Sequence, residues 1–139
     1  MTPDALLSLL ATERASAILR TDHKDRARRA MDAAVRGGMR VVEFTLTVPG
    51  VFDLIAEFAA REDVVVGAGT VLTPEQANDA VDAGARFLVS PVVDEAVIEV
   101  AHTRGVVAMP GVHTPTELLR AHRAGAQLQK LFPAPAGGP

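Results

Sequence analysis

The stretch Arg40-Val41-Val42-Glu43-Phe44-Thr45 (RVVEFT) decides the fold. Its β-branched and aromatic residues favour a strand, and side chains alternate between the two faces of a strand. Val42, Phe44 and the following Leu46 therefore share one face, and Val41, Glu43 and Thr45 share the other. One face suits a covering layer of helices; the opposite face carries a carboxylate.

Runs of the same kind recur on both sides: Ala15–Arg20 (ASAILR), Val64–Ala68 (VVVGA), Arg86–Ser90 (RFLVS), Val106–Pro110 (VVAMP) and Gln127–Phe132 (QLQKLF). Their starts lie about 20 to 25 residues apart, the pitch of one strand, one helix and two short loops. RGGMR, DAGAR, TRG and RAGAQ precede four of them and place Gly just after a helical stretch, where a helix C-cap belongs. Helix starts are also legible. Thr73-Pro74-Glu75-Gln76 and Thr114-Pro115-Thr116-Glu117 read as Thr N-cap, Pro at the first helical position and Gln or Glu at the third, and Thr2-Pro3-Asp4 opens a helix in the same way.

Strict alternation of strand and helix predicts a parallel sheet with right-handed crossovers, as an open doubly wound sheet or a (β/α) barrel. The barrel is favoured because two strands aim ionisable groups to one side: Glu43 in RVVEFT, and Lys130, which shares a face with Leu128 and Phe132, in QLQKLF. The expected architecture is one α/β domain over residues 1–139, of (β/α) barrel type, with six strand–helix units read from the repeat.

Composition narrows the function. The chain has 139 residues, 14 Lys and Arg against 17 Asp and Glu, a net charge of −3, and no Cys, Trp or Tyr. This length can bury a core, and its scattered basic residues leave no footprint for nucleic acid or an anionic membrane. Without Cys there is no disulfide framework, thiolate zinc site or thiol nucleophile. No apolar run approaches the roughly 18 to 20 residues of a membrane span, and the N-terminus MTPDALLSLLATER carries acids where a signal peptide has a basic region. A cytoplasmic globular protein is expected.

Lys130 and Glu43 are the strongest candidates for chemistry, since an ion in a strand interior is costly unless paired or used. Two readings stand. In one, Lys130 reaches out to a strand end and Glu43 caps a neighbouring loop. In the other, a desolvated Lys130 attacks a carbonyl carbon as its free amine, and Glu43 shuttles protons across the barrel. Gly67-Ala68-Gly69 lacks the third glycine and downstream acid of a dinucleotide fingerprint, and reads as close backbone approach to a ligand or a tight turn. His23, His102, His113 and His122 have no metal-ligand spacing; only His113 lies on a loop at the end where active sites of barrels cluster.

The motifs AILR (17–20), GGMRVVEFTLTVPG (37–50), VGAGTVLTPEQ (66–76), AGARFLVSP (83–91), MPGVHTPTEL (109–118) and KLFPA (130–134) resemble, in order and spacing, the 2-keto-3-deoxy-6-phosphogluconate (KDPG) and 4-hydroxy-2-oxoglutarate (KHG) aldolases. The resemblance implies a class I pyruvate aldolase on a (β/α)8 barrel. It assigns the Schiff base to Lys130, proton transfer to Glu43, contact with the pyruvate carboxylate to Thr70, and the pocket wall to Pro91 and Phe132. No metal or other cofactor is implied, and the partner is a small 2-keto acid with pyruvate as product.

Two departures bear on specificity. Many members have Arg four residues after the Glu, where this chain has Thr47, whose hydroxyl supplies neither charge nor a bidentate fork. Some relatives with a similar TVP segment carry Arg at the end of the first strand, so Arg20 is expected to take over anion binding, with Thr47 kept among the substrate-facing positions. Val92 stands where Gly is frequent and adds bulk near the pocket. Family members run to eight strands, and their last two bind the substrate phosphate; the sequence stops at PAPAGGP, about three quarters of the way along. A C-terminally truncated fragment is the favoured expectation, ahead of closure by a second copy or a degenerate relative. Relatives are commonly trimers. Three functions are in view: KDPG or KHG cleavage, the related 2-dehydro-3-deoxy-6-phosphogalactonate cleavage, and a non-catalytic truncated barrel that binds or assembles.

Overall fold

A computed structural model of the chain describes residues 1–134. The elements in chain order are α1 (Pro3–Glu13), β1 (Ala17–Leu19), α2 (Lys24–Arg36), β2 (Val41–Thr45), α3 (Val51–Ala59), β3 (Val65–Gly69), α4 (Pro74–Asp82), β4 (Phe87–Ser90), α5 (Glu95–Thr103), β5 (Val107–Val112), α6 (Pro115–Arg123) and β6 (Lys130–Leu131). The strands are parallel and lie in sequence order, β1-β2-β3-β4-β5-β6. The result is a curled six-strand part of a (β/α) barrel; an eight-unit closed barrel is not what these residues form. No helix among them is long and apolar enough to cross a membrane.

The two faces predicted for RVVEFT are both buried, in different layers. Val42 and Phe44 join Val66, Leu88 and Ala108 on the outer face, under Met31, Leu54, Phe58 and Ile98 of the helices. Phe44 meets Phe58 edge to face, with ring centroids 5.1 Å apart. On the inner face Val41, Val65, Phe87, Val89 and Val107 pack together, and Leu6 of α1 plugs the end from which the strands start. Where the sheet is unclosed its inner apolar surface is open: Ile18 is 44% exposed and Phe132 42%.

Local chemistry sets the joints. The Thr2, Thr73 and Thr114 hydroxyls each accept a backbone N–H in the first turn of their helix. At Thr114 the reciprocal bond from Glu117 completes a capping box. At Thr73 it does not: the Gln76 amide oxygen takes the Leu72 N–H instead. Gly38, Gly84, Gly105 and Gly125 all have left-handed φ just past a helix end. At Gly84, its N–H donates to Val81 and that of Ala85 to Ala80, the paired bonds that end a helix and turn the chain into the next strand.

The runs at 15–20 and 127–132 give shorter strands than their apolar content predicts. Before β6, the Gln127 side chain takes the Ala108 N–H that a strand carbonyl would otherwise accept, at 3.0 Å.

Candidate active site

Arg20 directly follows β1, Thr70 follows β3, Pro91 follows β4 and Phe132 follows β6, while Glu43 and Lys130 lie within β2 and β6. Together they line one cleft of about 210 Å³ where the strands end, the end at which barrel enzymes build their sites. Thr45, Ile18, Val89 and Ser90 complete the lining. Alternation along RVVEFT had already put Thr45 on the Glu43 face; nothing in the sequence marked Ser90, whose hydroxyl is held by the Val92 carbonyl at 2.6 Å.

Glu43 is 4% exposed and caps no loop, so the first of the two readings of this residue fails. Burial raises its pKa above the ordinary carboxyl value, against the opposing pull of the Lys130 and Arg20 charges. It is an acid that holds its proton to higher pH than a solvated glutamate, beside two cations. Lys130 is half-buried, with its Nζ 5.4 Å from the centroid of the Phe132 ring.

Arg20 is exposed yet not idle: its guanidinium donates to Thr70 Oγ1 at 2.8 Å. Thr70 has φ +60°, a left-handed conformation that a β-branched residue rarely adopts and that costs about 1–3 kcal/mol. The turn aims the Thr70 hydroxyl into the cleft beside Arg20. No sequence signal announced it, because the glycine that usually takes such a backbone stands one residue earlier.

Thr47 lies outside the cleft, contrary to its expected place facing substrate. It is exposed and hydrogen-bonds the Thr45 hydroxyl at 2.9 Å, one bond removed from the site. Val92, 52% exposed, adds no bulk to this cleft: it lines an adjacent hollow with His113 and Glu117, divided from Lys130 by Pro91 and Phe132. Gly67 and Gly69 lie within β3, with the space beside each taken by another side chain. A Cβ on Gly67 would lie 2.4 Å from the Phe87 ring, and one on Gly69 would lie 1.9 Å from Glu43 Oε1. Both leave room for another side chain.

A larger cavity, about 290 Å³, opens at the opposite end among Arg40, Arg61 and Arg86. All three nitrogens of the Arg61 guanidinium are committed to Asp32 and Asp63, which leaves the smaller cleft as the place where an amine, an acid and an anion-binding pair converge.

The chain is 44% identical over 125 residues to a probable 2-dehydro-3-deoxy-6-phosphogalactonate aldolase of Rhizobium meliloti, covering 88% of this chain and 59% of that protein. It is 38% identical to the KHG/KDPG aldolase of Escherichia coli K12, covering 76% of this chain and 50% of the relative. It therefore spans between half and three fifths of the length of these relatives. Among solved structures, that of a KDPGal protein superposes with a TM-score of 0.80 at 35% identity, over 88% of this chain and 61% of the other. The KDPG aldolase of Legionella pneumophila, solved with pyruvate captured as a covalent carbinolamine intermediate, superposes at 0.77 and 31% identity, over 86% of this chain and 58% of the other. The family model for KDPG and KHG aldolases matches residues 7–139, nearly the whole chain, and the protein belongs to that family.

Proposed function

We propose that the cleft performs Schiff-base aldol chemistry on a 2-keto acid, with Lys130 as nucleophile and Glu43 as the group that moves protons. The convergence of Lys130, Glu43, Arg20 and Thr70 in one cleft carries this reading. Arg20 and Thr70 hold the substrate carboxylate, Arg20 by charge and Thr70 through the hydroxyl proton left free when its oxygen accepts from Arg20.

After losing its ammonium proton to water, the Lys130 amine adds to the C2 keto carbon, and an N–H proton passes to the former keto oxygen to give the carbinolamine. Glu43, whose burial favours the protonated form, delivers the proton with which the carbinolamine hydroxyl leaves as water. In the resulting iminium, the Glu43 carboxylate left by that step takes the C4 hydroxyl proton as the C3–C4 bond breaks. The bonding electrons pass into an enamine and the aldehyde departs. Protonation at C3 and hydrolysis of the imine release pyruvate and restore Lys130. Phe132 and Pro91 form the apolar wall that limits water around the imine.

The substrate reading is a 2-keto-3-deoxy-6-phospho sugar acid, cleaved to pyruvate and glyceraldehyde 3-phosphate, or 4-hydroxy-2-oxoglutarate, cleaved to pyruvate and glyoxylate. The galactonate-derived substrate is a specific second reading, favoured by the 44% identity to the Rhizobium meliloti relative.

Borohydride reduction with pyruvate tests the chemistry. A permanent mass increase on Lys130 is expected, absent in Lys130→Ala. No adduct in the wild-type chain, or an adduct that survives Lys130→Ala, overturns the assignment and leaves a binding or assembly role for the cleft.

A further inference from the structure

Glu43 is a long side chain on an inward-facing strand position, and something must make room for its carboxylate. The structure identifies what does. Across the β2–β3 pair, Glu43 is in register with Gly67, and Thr45 with Gly69. A Cβ on Gly69 would lie 1.9 Å from Glu43 Oε1, 2.8 Å from its Cδ and 3.2 Å from its Cγ. The carboxylate therefore occupies the volume that any side chain at position 69 would take. Gly69 lies inside β3 and does not have the left-handed backbone that favours glycine, so its own conformation does not demand one. The three nearest atoms its Cβ would meet all belong to Glu43.

We propose that Gly69 is a positioning residue for proton transfer: its missing side chain is the seat that keeps the Glu43 carboxylate withdrawn from solvent at the inner wall of the cleft. The inference rests on the role given to Glu43 above. A methyl group at 69 drives the carboxylate off its seat toward the open cleft. There water solvates it, the burial that raises its pKa is relieved, and its reach to the imine changes.

The test uses Gly69→Ala in the full chain, with two measurements on pyruvate. The final yield of the borohydride adduct on Lys130 is retained, although it forms more slowly without a well-placed Glu43 to expel water, because the lysine and the Arg20–Thr70 pair keep their places. Exchange of the pyruvate methyl protons with deuterium falls about a hundredfold, the loss typical of a reacting group misplaced by about 1 Å. The pH profile of the residual exchange moves to lower pH. Global damage to the fold would instead lower trapping and exchange together and leave the profile in place, and that result overturns the proposal.

Thermal unfolding supplies an arm independent of chemistry. Gly69→Ala lowers Tm in the wild-type background but not in Glu43→Ala, which removes all three clashing atoms. An equal loss in both backgrounds also overturns it. If Glu43→Gln exchanges protons as fast as wild type, the catalytic reading of Glu43 fails and with it the role in proton transfer; the seat itself is still decided by the unfolding measurements.

Discussion

Gly67→Ala probes the inner layer of the barrel without touching the candidate chemistry. The Cβ it introduces would sit 2.4 Å from both Cε2 and Cζ of Phe87 and 2.5 Å from Cδ2, where ordinary contacts begin at 3.4 Å. The ring must therefore retreat by about 1 Å, a gap set by those contact distances. Phe87 is 1% exposed and walled in by Val41, Val65, Val107 and Leu6, so no vacant direction is open to it. Overpacking of this kind costs about 1–3 kcal/mol. For a domain of this size that is a fall in Tm of about 3–10 °C, from an unfolding entropy of roughly 2.1 cal/mol/K per residue. Phe87→Leu takes away the ring. Alone it leaves a hole and destabilises; combined with Gly67→Ala it gives the new methyl a place, so the double variant is more stable than the sum of the single losses predicts. Urea and thermal unfolding of the four proteins measure the coupling. A neutral Gly67→Ala, or strictly additive losses, would refute the claim that Gly67 exists to admit the Phe87 ring.

Three further outcomes are expected. Because burial raises the Glu43 pKa above the ordinary carboxyl value, the folded state binds the proton more tightly than the unfolded one, and ionisation above that ordinary value costs stability. Glu43→Gln should therefore unfold at a higher temperature than wild type at pH 7, with an advantage that shrinks as the pH falls through the raised pKa and is gone once the pH is below the ordinary carboxyl range; a gap that widens toward acid contradicts the sign. Thr70→Asn, which accepts a left-handed backbone more readily, should gain about 1 kcal/mol in urea unfolding while raising the pyruvate concentration that half-saturates trapping. Thr114→Ala should lose about 1 kcal/mol through its cap, measured by the same unfolding, since the Glu117 N–H is left without the hydroxyl oxygen it donates to.

Much of this molecule is legible in its sequence because local chemistry and the tertiary pattern agree. The Thr-Pro starts and the glycines past the helix ends give the period, and alternation alone places Glu43 and Thr45 on the inner face. What stays hidden is whatever depends on a partner distant in the chain. Thr47 reads as a substrate contact because its position aligns with an arginine, yet its short side chain reaches only to Thr45. The strain at Thr70 accompanies a hydrogen bond to a residue 50 positions away. The glycines of VGAGT look like ligand-binding glycines until Phe87 and Glu43 are seen in the space beside them. Composition can say that a position is small, but not what fills the room it leaves.

Because the strands lie in sequence order, each βα unit docks onto the one made just before it and no strand waits for a distant segment. Such an array behaves like a row of coupled neighbours, in which stability is passed along the row and a unit with two neighbours is held more firmly than one with a single neighbour. The strand pairing is longest between β2 and β3, from Val41 with Val65 to Thr45 with Gly69, whereas β6 is a two-residue end strand paired on one side only, through Lys130 and Leu131. Amide hydrogen exchange should therefore be slowest through β2 and β3 and quicken toward β6. Glu43 is then anchored in the most persistent part of the sheet, while Lys130 rides on one of the most readily opened, and the two halves of the proposed chemistry differ in how often the chain itself takes them apart.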